Sequence, residues 1–185
     1  FDGISLFTKK GFPVIVLNKR LPNDRKRFTL AHELGHLIMH TAFPVPNIRD
    51  KEQEANDFAS EFLMPERAIR NSLEGLKLSS LSALKSYWLT SKASIIRRAY
   101  SLGVINQNKY KYFNIELSRI GEKKNEKGNV SIDKAITFDV AVKLHLKELE
   151  YTYDDLANAF ALPEDIIQRY VLKQNLFLKP KLTIN

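Results

Sequence analysis

The chain has 185 residues, a formal charge of +8, no cysteine, 44% hydrophobic residues and 11 Phe. This composition excludes disulfides, thiolate metal ligands and a cysteine nucleophile, and it argues for a globular chain with a substantial core rather than for disorder. No apolar run approaches the roughly 18 residues that span a bilayer, and the start lacks a signal-peptide layout, so a cytoplasmic protein without membrane contact is expected.

Residues 4–7 and 13–17 are short β-prone runs separated by Lys9-Lys10-Gly11, which predicts a hairpin or two neighbouring strands. An exposed edge at residues 13–18 would be placed to pair with an extended substrate backbone.

The next segment, Phe28 to His40, contains His32-Glu33-Leu34-Gly35-His36, an HExxH pattern. Residues four apart share one face of a helix, so His32 and His36 can grip one metal ion while Glu33 stands beside it. A carboxylate there can take a proton from water as it attacks a carbonyl carbon, which points to amide hydrolysis. Leu30, Leu34, Leu37 and Ile38 recur at helical spacing and predict a buried face.

A catalytic zinc keeps three protein ligands and one open position, so a further ligand is needed. His40 lies about 12 Å along a helix axis from His32, which assigns it to the surroundings of the site or to the surface. The pattern HExxHxxGxxH fails, because Met39 and Ala42 stand at its glycine and last histidine. The third ligand is therefore expected to be acidic. Pro44, Pro46 and Asn47 predict a loop, after which residues 51–65 place Ala55, Phe58, Ala59, Phe62 and Leu63 on one helical stripe that Pro65 ends. The two alanines would allow close approach to the His32 helix. Glu54 is the expected metal ligand, and Asp57 the expected hydrogen-bond acceptor for a ligand imidazole, with ordinary helix charges as the alternative for both.

Residues 67–130 carry thirteen basic and four acidic groups, an excess that nucleic acid, an acidic partner or water can satisfy. Within it, Leu78, Leu81, Leu84 and Trp88 predict one helix and Ile95, Ile96, Ala99 and Leu102 another, with Thr90 or Ser91 as N-cap. This pair is helix-turn-helix-like, although packed helices are commoner than base readers and DNA contact is not favoured. Tyr87, Tyr100, Arg97 and Arg98 are candidates to stabilise an oxyanion, with packing or solvation as their ordinary roles. In the tail, Thr152 precedes one predicted helix and Pro163-Glu164-Asp165 opens another, while His145 reads as structural.

Arg27 to His36, together with Glu54-Ala55-Asn56-Asp57-Phe58-Ala59 and Phe62-Leu63-Met64-Pro65, resembles the two sequence blocks of the ImmA/IrrE-like metallopeptidases of bacteria, phages and mobile elements. Pro13 to Asn18 resembles that family's strand before the active helix, and Leu84 to Trp88 with Ile96 to Tyr100 its downstream helices. The likeness covers roughly residues 1–120; at its end, Gly121-Glu122-Lys123-Lys124 departs from the tryptophan-containing turn usual there.

The resemblance implies His32, His36 and Glu54 as metal ligands and Glu33 as general base. It also implies a minimal zincin-like fold and site-specific cleavage of a helix-turn-helix repressor, which relieves repression of stress or mobile-element genes. The expected fold is α+β and mainly helical. A metallopeptidase core with a short sheet occupies 1–70, a basic helical region 71–130 and a C-terminal helical region 131–185. Zinc is the expected ion, with manganese as the alternative. The competing reading is a non-enzymatic regulator that binds DNA or a repressor and carries a structural or sensing metal. Because residue 1 is Phe, a missing upstream domain is left open.

Overall fold

The computed structural model describes residues 1–9, 11–41, 50–123, 126–132 and 136–173, the side chains of 172 and 173 excepted. The loop expected at Pro44, Pro46 and Asn47 lies outside these residues. The chain forms two compact units, residues 1–132 and 133–185.

The first unit opens with an antiparallel hairpin of β1 (Gly3–Phe7) and β2 (Pro13–Leu17), in which Ile4 pairs with Val16 and Leu6 with Val14. Gly11, at φ +77, takes the left-handed conformation that closes the turn, and its N–H donates to Thr8 O at 2.8 Å. The sheet rests on α1 (Asn23–His36), whose last turn continues as a π-helical turn over Leu37–Thr41. Next come α2 (Lys51–Leu63), capped by Asp50 Oδ1 accepting from Gln53 N at 3.0 Å, and α3 (Glu66–Leu73), which starts at Pro65.

Helix α1 is covered on two sides, by the sheet and by α2, and its burial does not follow a single apolar stripe. Thr29, Ala31, Glu33, Gly35 and Leu37 are buried, whereas Leu30 and Ile38 are about half exposed. Phe62 on α2 is likewise exposed, stacked on Phe58. The single buried face expected for each helix is thus corrected at these three positions.

One apolar core then runs from Met64 through α3, α4 (Leu81–Trp88), α5 (Lys92–Ser101) and α6 (Gln107–Arg119), with Ile69, Leu73, Ile95 and Phe113 fully buried. Leu89 adopts the left-handed conformation between α4 and α5, and Ser91, rather than Thr90, is the N-cap, accepting from Ser94 N at 3.0 Å.

Part of the positive charge in this region is spent inside. The Lys85 ammonium is buried between Asp24 (2.6 Å) at the start of α1 and Glu126 (2.9 Å), and Glu126 also accepts from the N–H groups of Lys92 and Ala93. Buried Lys92 pairs with Glu122 at 2.5 Å, and buried Arg98 pairs with Glu61 and donates to Met64 O. Three basic side chains of the excess therefore face carboxylates of this chain rather than a nucleic-acid backbone.

Burial opposes the charge on Lys85, but the hydrogen bonds to Asp24 and Glu126 outweigh it and raise its pKa above the ordinary lysine value. The Lys92 ammonium, through its hydrogen bond, holds Glu122 below the usual carboxylate range. A depressed carboxyl pKa contributes stability that is complete above the unfolded-state value and lost as pH falls through the folded one. Thermal melting followed from pH 6 to pH 3 is expected to drop less in Glu122→Gln than in the wild type.

The second unit contains α7 (Thr137–Lys147), α8 (Tyr153–Phe160) and α9 (Glu164–Lys173), packed around Val142, Leu156 and Ile167. Thr152 and Asp155 form a reciprocal capping box at α8. His145 donates from Nδ1 to Ala141 O at 2.7 Å between the Tyr151 and Phe160 rings, the structural role expected of it. No helix among the described residues is long and apolar enough to cross a membrane.

Candidate metal centre

Four residues apart on α1, His32 and His36 present their Nε2 atoms to each other at 3.0 Å. Each ring is oriented from its other nitrogen. His32 Nδ1 is 3.0 Å from Asn56 Oδ1, an acceptor, which fixes the proton on Nδ1 and leaves Nε2 as a lone pair. His36 Nδ1 is 2.9 Å from His40 Nδ1, and His40 Nε2 is 3.0 Å from Glu54 Oε2. If His40 donates to Glu54, it accepts from His36 Nδ1–H, and the His36 Nε2 is also a bare lone pair.

That assignment satisfies every ring nitrogen except two that face each other unprotonated. Such a pair repels unless a cation lies between them, and two imidazoles on a tetrahedral zinc stand about 3.3 Å apart, so the donor set fits a divalent ion. The carboxylate of Glu52, on an exposed side chain, completes the cluster at 3.3 Å from each Nε2. Burial, reinforced by the neighbouring His32, holds the His36 pKa below its usual value, which keeps the ring neutral at pH 7 as a ligand must be.

Two glycines allow this closeness. A Cβ on Gly35 would lie 3.0 Å from Phe58 Cδ1 and 3.4 Å from Ala55 Cα, so its absence lets α2 settle against α1. A Cβ on Gly3 would meet Thr29 Cγ2 at 2.6 Å and Glu33 Cγ at 3.2 Å, so β1 packs directly on the Glu33 side chain. Glu33 is 8% exposed, and no hydrogen-bond donor among the described residues reaches its carboxylate. It lines a cleft of about 360 Å³ together with Asp2, Gly3, His32, Glu52 and Asn56. The hairpin meets this cleft through the start of β1; residues 13–18, expected as the substrate-facing edge, do not line it.

Residues 2–100 match the family of the IrrE N-terminal-like domain, a peptidase family, and that span is more than half of the chain. The chain belongs to the IrrE N-terminal-like peptidase family. No curated protein and no solved structure matches it. Membership establishes a metallopeptidase-type domain, a protein substrate and a metal requirement, and the α+β, mainly helical fold agrees with the expectation.

Within this IrrE N-terminal-like domain, the residues singled out from the sequence fall in different places. His32 and Glu33 line the cleft, and His36 joins them through its Nε2, which faces that of His32. Glu54 holds His40, and Asp57 Oδ1 accepts from Gln53 Nε2 at 2.8 Å on the outer side of α2. His40, whose side chain is only 4% exposed, belongs to the surroundings of the site rather than to the surface. None of the four oxyanion candidates lines the cleft. Arg98 is tied to Glu61, Arg97 lies over the Tyr100 ring, and Tyr87 is exposed.

Glu52 and Asn56 are absent from the candidates that the sequence offers. Their signal was in the helical phase: buried Ala55 and Ala59 mark the side of α2 that meets α1, and positions 52 and 56 share that side.

Proposed function

We propose that the protein is a cytoplasmic zinc endopeptidase that cuts a helix-turn-helix repressor and so relieves repression. The observation that supports it is the pair of imidazole Nε2 atoms facing each other across 3.0 Å beside a buried glutamate that has no hydrogen-bond partner among the described residues.

In this reading His32, His36 and Glu54 hold the ion, with Glu52 as the rival for the third position. A bound zinc supplies Lewis acidity to the scissile carbonyl and makes water more acidic. Glu33 takes the proton of the water that attacks the carbonyl carbon and delivers it to the departing amine nitrogen. Asn56 and His40 keep the two ligand rings in the tautomer that offers Nε2. Residues 1–70 carry this chemistry, and the apolar core that begins at Met64 and Ile69 joins them to the helices of residues 71–130.

The test is incubation of the purified protein and zinc with a candidate helix-turn-helix repressor, sought first among the products of neighbouring genes, with and without EDTA. Two repressor fragments are expected without chelator and intact repressor with it. An intact repressor in both, stably bound to the protein, would favour docking over cutting.

A further inference from the structure

Beside the metal cleft lies a larger cavity of about 940 Å³, and the two share Arg25 and Phe28. Arg25 precedes His32 by two turns of α1, about 10 Å, a span that an extended polypeptide crosses in about three residues. The metal-facing side of α1 is thus continuous with the cavity's rim. Apolar groups line the cavity from three separate segments: Leu21, Pro22 and Phe28 around the start of α1, Ala93 on α5, and Val130.

The buried charges in its wall are already satisfied. Asp24 and Glu126 share the Lys85 ammonium, and the remaining negative charge on Glu126 is met by the first N–H groups of α5, those of Lys92 and Ala93. Arg25, at the rim, is paired with Asp2. Lys123, exposed and without a partner among the described residues, is the cation left over. Such a wall suits an apolar side chain with a carboxylate close by.

We infer that this cavity is a recognition site for the flank of the bound substrate. It takes a large apolar side chain about three residues from the scissile bond, with an adjacent acidic residue drawn to Lys123. The inference rests on the peptidase reading above and extends it to substrate choice.

The experiment profiles cleavage of a proteome-derived peptide library by the zinc-loaded protein, with new termini read by mass spectrometry. Large apolar residues are expected to be enriched roughly tenfold or more at the third position from the cut. The enrichment should fall to near unity in Ala93→Trp and in Ser131→Trp. Both are exposed cavity positions on different segments, and thermal melting verifies that each variant is folded. Lys123→Glu should remove the acidic preference alone.

If the wild type cuts nothing, the peptidase reading falls, and capture of peptides from the same library by Glu33→Gln still tests the cavity. The captured set should be enriched in apolar residues, and no longer so when Ala93→Trp is added. Cleavage or capture without that enrichment, or enrichment that survives both tryptophan fillings, would overturn the assignment.

Discussion

Glu33→Gln is expected to keep about one zinc per chain and to lose cleavage by a factor on the order of 10² to 10⁴, the usual contribution of a positioned general base. The substitution conserves shape in a side chain that is 8% exposed and packed under Gly3, and it removes no hydrogen bond made by a described donor, so melting temperature should barely change. Its neutral amide cannot take a proton from water. Zinc content by atomic emission and turnover of a cleaved peptide report the two halves separately. Undiminished turnover would take Glu33 out of the mechanism, whereas loss of zinc would make its role structural.

Much of the centre is legible in the sequence because its parts are local. His32, Glu33 and His36 lie within one turn and a half of helix, and the alanines at 55 and 59 announce a close helix contact. What the sequence conceals is how a neighbour completes each face. Leu30 and Ile38 read as core, yet α1 is enclosed by a sheet on one side and α2 on the other, and its small residues Ala31 and Gly35 occupy the tight contacts instead.

The basic middle region carries the same lesson. Lys85, Lys92 and Arg98 count as surface charge in a composition, but their carboxylate partners, Asp24, Glu122, Glu126 and Glu61, lie far away along the chain. Between Asn56 and Asp57, only the phase of α2 decides which one meets a ligand ring. His32 finds the neutral amide of Asn56, and a carboxylate would have held its proton more strongly.

The second large effect concerns the carboxylate that joins the two imidazoles. Glu54 sits next to fully buried Ala55, is one-third exposed and is tied to His40, so little freedom remains to be lost when it binds. Glu52 reaches both Nε2 atoms, but from a side chain 74% exposed, and holding that long arm still costs more conformational entropy. Glu54→Gln should therefore weaken zinc binding by more than about 100-fold, and Glu52→Gln by less than about tenfold, below the roughly 10- to 100-fold usual for groups that orient a ligand from outside the ligand set.

Titration of the zinc-stripped protein against a competing chelator at pH 7 measures this directly. One tight site per wild-type chain is expected, abolished in His36→Ala, crippled in Glu54→Gln and nearly intact in Glu52→Gln. The reverse order for the two glutamates would give the third position to Glu52. A wild-type chain that binds no zinc, or binds it equally well without His36, would contradict the metal centre itself.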